Sequence, residues 1–124
     1  MLSKNQVVKV RKAIEQTYDG RCTVTEHQEY VRDNGSTGFR DVITLNDHPC
    51  RLSFSNISAT EPGEASATTK QMIKLFINPD VVIRAGSKLS VTQAGVTTDY
   101  TCSGIPAKYD THQEIMLELF QRWS

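Results

Sequence analysis

The sequence carries no surplus of charge. Fourteen lysines and arginines are balanced by 14 aspartates and glutamates, a formal net charge of zero over 124 residues. A general nucleic-acid binder needs a basic surplus to neutralise phosphates, so that class is disfavoured, although a local patch stays open. Neutrality also means that no net repulsion opposes self-association. Long apolar runs are missing too: none approaches the roughly 20 residues that span a bilayer. The first residues are polar, with no apolar signal segment, so a protein made and used inside a cell is expected. Cysteine is scarce and odd in number, at Cys22, Cys50 and Cys102. Three cysteines without a secretion signal do not form a disulfide framework, and reduced thiols are expected.

Motifs for chemistry are equally sparse. There is no Cys-x-x-Cys and no His-x-x-x-His. His48 and Cys50 could share a strand face, but zinc would need two more ligands from distant segments. Cys22 with His27, and Cys50 with His48, are the only local thiol–imidazole neighbours, and neither lies in a nucleophile motif. Asp41 with Asp47, and Glu26 with Glu29, read as solvated charges. No Gly-x-Gly-x-x-Gly or Walker-type run is present. Gly35 and Gly38 lie in a loop that no helix follows, so no dipole would meet a phosphate. The aromatics Tyr30, Phe39, Phe54, Phe76, Tyr100 and Tyr109 are scattered, and Lys/Arg are not clustered among them, which does not make a stacking groove for single strands. No catalytic residue, metal ligand or cofactor is therefore expected, and Cys50 and Cys102 read as small buried hydrophobes.

What the sequence does contain is one helix and a series of short strands. Ser3 and Gln6 fit a capping box, and Val7, Val10, Ile14 and Tyr18 then recur at helical spacing. This predicts a helix over residues 3–18, ended by Asp19-Gly20 with Gly20 as a left-handed cap. Its polar residues Lys9, Arg11, Lys12 and Glu15 are candidates for contact with a neighbouring subunit; packing on its own domain is the other reading. From residue 21 the texture is β. Cys22 and Val24 begin a strand, and Asp33 to Gly38 break it. Phe39 to Leu45 form another, closed by Asn46-Asp47. Cys50, Leu52 and Phe54 alternate with polar residues, as a half-buried strand requires. Ile73, Leu75 and Ile77 alternate with apolar Met72 and Phe76 opposite, which suits a central or barrel strand. Asn78-Pro79-Asp80 turns the chain. Leu89 and Val91, a hairpin turn at Gln93-Ala94-Gly95, and Val96 to Cys102 complete a further pair. Ile115, Leu117 and Leu119 fit a strand, while Thr111, Glu114, Ile115, Leu119 and Trp123 also fit a capped helix. Residues 56–70 (NISATEPGEASATTK) are small and polar, long for a loop without structure of its own. One domain results: mainly β, a small antiparallel barrel or sandwich behind an N-terminal helix, with a long polar loop.

Four stretches carry a resemblance: YDGRCTV from Tyr18, HPCRLSF from His48, INPDVVIRAGSKLSVTQAGVTTDY from Ile77, and HQEIMLELF from His112. Together they resemble the head-completion, stopper-type head–tail connectors of long-tailed phages and prophages, over most of the chain. One departure is Gly86-Ser87, where many relatives have Gly-Asp; Ser87 is expected to cap that turn as Asp would. The resemblance implies a β-barrel whose copies form a ring under the portal or its adaptor. Such a ring closes the DNA-filled head and offers the tail a platform. It implies partners: further copies of the chain, a portal or adaptor protein, and a tail-terminator or tail protein. Double-stranded DNA would pass through the channel without sequence-specific binding, and no membrane would be involved. The place implied is the virion neck, reached from the host bacterial cytoplasm during assembly. The polar loop would be mobile and face the channel, with Glu61, Pro62, Gly63 and Glu64 as candidate gating residues. The resemblance also favours the strand reading at Ile115 to Leu119. A tail-terminator-like adaptor, and a small β-barrel module binding nucleic acid or protein, are the alternatives.

Overall fold

The helix forms where its start signal stands. In the computed structural model, which describes residues 2–59 and 68–123, helix α1 spans Lys4–Glu15. The Ser3 hydroxyl accepts from the Gln6 amide at 3.3 Å, and Gln6 Oε1 accepts from the Ser3 amide at 2.8 Å. Two amides that the helix itself leaves unpaired are thereby satisfied. The helix ends one turn before Tyr18, at the αR residue Gln16. Thr17 and Tyr18 amides bond back to Ile14 and Glu15 carbonyls.

Gly20 is not the expected helix cap. It starts strand β1 (Gly20–Val31), and it is not among the glycines with positive φ. Its need is for space instead. A Cβ there would lie 2.9 Å from the Cys50 carbonyl oxygen and 3.3 Å from its sulfur.

Seven strands follow the helix: β1, β2 (Thr37–Ala59), β3 (Thr68–Ile77), β4 (Lys88–Gln93), β5 (Val96–Cys102), β6 (Ala107–Lys108) and β7 (Gln113–Leu119). All pairings are antiparallel, in the order β3-β2-β1-β4-β5-β7-β6. A further pairing of β3 with β7, from Ile73↔Leu117 to Ile77↔Gln113, closes the hydrogen bonding into a ring. The C-terminal segment is thus a strand, and Gln113, Ile115 and Leu117 point inward. The mainly β, antiparallel fold behind one helix is as the sequence predicts.

The core follows the period-2 patterns. Cys22, Cys50, Leu75, Ile77, Leu89 and Val91 have no exposed surface, and Tyr100, Cys102, Ile115 and Leu117 complete the lining. Gln113 is the polar member. It is buried, and its Nε2 donates to the carbonyls of Asn78 (2.8 Å) and Val81 (2.6 Å). Those bonds tie the Asn78-Pro79-Asp80 turn to β7, where Asn78 Oδ1 also accepts from the Asp80 amide.

Three local expectations change. Asn46-Asp47 does not end a strand. β2 runs through it as one 23-residue element, with Asp47 in the left-handed region (φ 48°). The register with β1 slips here, between Cys22↔His48 and Val24↔Leu45. This is a bulge, and Asp is one of the residues that tolerates that backbone conformation. Thr23 Oγ1 holds it by accepting from the Asp47 amide at 3.2 Å. Phe54 does not continue the buried alternation after Leu52; it is exposed, because β2 has by then left the core. The loop expected over residues 56–70 is shorter at both ends. Asn56 to Ala59 pair with Gln71 to Thr68.

Past Gly20, where β1 begins, β2 loses its neighbour on that edge. Gln93 takes over: its Oε1 accepts from the Leu52 amide at 2.8 Å, and its Nε2 donates to the Leu52 carbonyl at 3.2 Å. A side-chain amide thus makes the two bonds that a strand residue would make. Gln93 is held by the two-residue turn Ala94-Gly95, both with positive φ, as a type I′ hairpin needs.

Candidate assembly surfaces

The four helix residues expected to meet a neighbour divide into two pairs. Arg11 donates to the Asp110 carbonyl at 2.7 Å and to Asp80 Oδ2 at 3.0 Å. Glu15 Oε1 accepts from Asn78 Nδ2 at 2.6 Å. Both bind their own domain, and Lys9 and Lys12 are exposed. The helix buries no residue fully. Under it lies an apolar cavity of about 510 Å³ between Val10, Ala13 and Ile14 on one side and Phe76 on the other. The Tyr18 hydroxyl, which has no partner, is buried at this cavity, and burial raises its pKa, with Glu15 adding to the shift.

His112 closes one wall of that cavity. Its Nε2 lies 3.0 Å from Glu114 Oε2, and its ring stacks on Tyr109 at 4.8 Å. Lys74 Nζ reaches the other Glu114 oxygen at 3.0 Å. The hydrogen bond from His112, and then that from Lys74, hold the Glu114 carboxyl below the ordinary range. The cluster ties β3 to β7; none of its groups is a free nucleophile.

The thiols are structural. Cys22, Cys50 and Cys102 are all free and buried. A hydrogen bond with Cys50 and burial both push the Cys22 thiol up, and the same contact draws Cys50 down against burial. Burial raises Cys102, whose sulfur donates to the Arg84 carbonyl at 3.2 Å. Cys22 and Cys102, held protonated in the core, are poor nucleophiles, and Cys50 has no exposed surface. Among the described residues, no three of His, Cys, Asp and Glu converge as metal ligands, and no helix is long and apolar enough to cross a membrane.

Of the exposed apolar residues, Phe39, Ile43 and Phe54 lie along β2. Its first part pairs with β1 to form a hairpin around the turn at residues 32–36, where Gly35 has φ 85°. Val31, Phe39 and Ile43 are exposed there; Phe39 retains 59% of its surface. Between them His27 stacks against Phe39 at 4.9 Å and against Trp123 at 5.0 Å, in three near-parallel layers. Asp41 Oδ1 lies 2.9 Å from His27 Nδ1. Lys88 sits over the rings of Phe120 and Trp123, so residues 120–123 are pinned beside the hairpin. The second part of β2 pairs with β3 in another hairpin, at the opposite end of the strand. Glu61, Pro62, Gly63 and Glu64 lie outside the described residues.

A cleft of about 590 Å³ opens between β1 and residues 84–87, with Glu26, Glu29, Phe39 and Trp123 on its walls. Ser87 lines it too. The expected cap is not made: the Ser87 side chain is buried, and its Oγ has no hydrogen-bond partner. Sequence reasoning did not find this cleft. The one available signal was Tyr30-Val31, strand formers that extend β1 beyond Val24.

No family model matches the chain, and no curated protein matches it. Among solved structures, the protein xkdH of the phage-like element PBSX from Bacillus subtilis is similar. It shares 14% identity, with 80% of this chain and 91% of that chain covered, at a TM-score of 0.49.

Proposed function

We propose that the chain is a structural subunit of a phage or prophage neck. Copies of it form a ring between the portal or adaptor and the tail. The ring closes the DNA-filled head and gives the tail a surface to dock on. Its work is binding, without catalysis or cofactor, and its place is the head–tail junction of the virion. The resemblance in the sequence leads to this reading, and β2 is the observation that carries it. A single 23-residue strand crosses the closed ring of strands and extends a hairpin from each end. At about 3.3 Å per residue, such a strand reaches up to roughly 70 Å. A subunit with two different reaches can meet two different neighbours, as a heterologous ring interface requires. Exposed Val31, Phe39 and Ile43 on the first hairpin supply apolar contact area.

Electron microscopy of the purified chain mixed with its cognate portal tests the proposal. Rings stacked coaxially on the portal are expected. A chain that stays monomeric beside bare portals, at concentrations where neck rings assemble, defeats it.

A further inference from the structure

The first hairpin has two unlike faces. Strand alternation along the ladder from Thr25↔Ile43 to Val31↔Thr37 puts His27, Glu29, Val31, Phe39, Asp41 and Ile43 on one face. The stack of His27 on Phe39 and the contact of His27 with Asp41 lie there. This face has two carboxylates, three exposed apolar side chains and no lysine or arginine. The other face carries Tyr30, with the guanidinium of Arg32 5.5 Å and that of Arg40 5.2 Å from its ring centre. Gly38 leaves the space for this platform: a Cβ there would lie 2.5 Å from Arg32 Nη2 and 3.1 Å from the Tyr30 ring. The one acid of this face, Glu26, sits at the base of the hairpin and accepts from Gln28 Nε2 at 3.3 Å. Glu29 and Arg40 are exposed and have no ion-pair partner among the described residues. They cannot meet within one chain, because the sheet lies between them.

We infer that the first hairpins of neighbouring copies stack, the acidic face of one on the arginine face of the next. The inference rests on the ring reading above and names a contact that builds the ring. The charges select this arrangement. Two acidic faces would set carboxylates together, and two arginine faces would set guanidiniums together; only unlike faces attract. Contact between unlike faces is head to tail, the kind that closes into a ring. The register agrees. Copies related by rotation about an axis along which the hairpins run share one height. Arg40 of one copy therefore meets the next between its Glu29–Phe39 and His27–Asp41 pairs. There the guanidinium reaches the Glu29 and Asp41 carboxylates and the face of the Phe39 ring. Val31, Phe39 and Ile43, 59–72% exposed in the single chain, are covered by a second sheet about 10 Å away. These apolar side chains favour a protein neighbour over the phosphates of DNA, which would leave them wet.

The test uses the full chain with its portal, and follows ring formation by electron microscopy and sedimentation. Glu29→Arg and Arg40→Glu should each weaken assembly about tenfold per contact, because each reversal sets like charges face to face. Both side chains are exposed, so the free variants should melt within about 2 °C of the natural chain. The double variant, Glu29→Arg with Arg40→Glu, restores the pair with its signs exchanged and should assemble like the natural chain. A double variant as impaired as the worse single one, or single variants that assemble normally, overturn the stacking and leave the ring reading standing. Normal rings from Arg40→Glu, together with lost affinity for a double-stranded DNA fragment, assign the arginine face to phosphates and overturn the second copy as its partner. Absence of any ring from the natural chain defeats the ring reading, and this inference with it.

Discussion

Replacing Gln93 by alanine tests whether a side chain stands in for a missing strand. In the folded chain the Gln93 amide makes both bonds to the Leu52 backbone, at 2.8 and 3.2 Å, where β1 no longer covers β2. Leu52 is buried, so water is poorly placed to replace them. Each bond contributes about 1 kcal/mol net, and stranding an amide and a carbonyl adds to that, for a total of about 2–3 kcal/mol. The unfolding entropy of a chain of this size is about 0.26 kcal/mol/K, so Tm should fall by about 10 °C. Urea unfolding followed by circular dichroism measures the free energy directly. Gln93→Glu sharpens the test. It retains an acceptor for the Leu52 amide but sets a carboxylate against the Leu52 carbonyl, and should also lose stability. A Gln93→Ala variant within about 0.5 kcal/mol of the natural chain would refute the reasoning, since that is the range of an ordinary surface change.

Gly20→Ala should destabilise by about 1–3 kcal/mol, because the new methyl meets the immobile Cys50 carbonyl; a gain in stability would show that backbone entropy outweighs the contact. The Glu114 carboxyl has a depressed folded pKa, so its contribution is present above the unfolded value of about 4.3 and is lost as pH falls through the folded value. Urea midpoints measured from pH 6 to pH 2 should therefore drop less steeply for Glu114→Gln than for the natural chain. The three buried thiols should react with an aromatic disulfide reagent only at the rate of unfolding, and fast reaction in native buffer would contradict the core described here. Deleting Glu61 to Ala67 should fray no more than the Ala59–Thr68 pair, and under the proposed function heads carrying that variant should leak packaged DNA. Normal DNA retention would remove the loop from the mechanism.

The legible parts of this fold are those where one residue type decides one local outcome. Ser3 and Gln6 cap the helix by direct bonds, and Leu89 with Val91, Tyr100 with Cys102, and Ile115 with Leu117 alternate into the core as their spacing requires. The length of β2 was hidden because Asn46-Asp47 is turn chemistry used as a bulge, and only the pairing with Thr23 makes that visible. Gly20 looked like a cap for the same reason: the demand on it comes from Cys50, 30 residues away, and not from its own backbone. Arg11 and Glu15 could be placed on a polar face, but their partners Asp80, Asp110 and Asn78 come together only in three dimensions. The cleft by β1 is made by where β4 stops. That is a property of register, and no residue within the cleft announces it.

The closing pair of the ring, β3 with β7, joins residues about 40 positions apart, and β1 with β4 joins residues about 65–70 apart. Contacts of such long range are slow to form. During synthesis the inner edge of β3 must wait until Gln113 to Leu119 leave the ribosome, long after the β1–β2 and β2–β3 hairpins can zip. Until then Ile73, Leu75 and Ile77 sit on an uncovered edge, and the nascent chain is at its most adhesive between the emergence of β3 and that of β7.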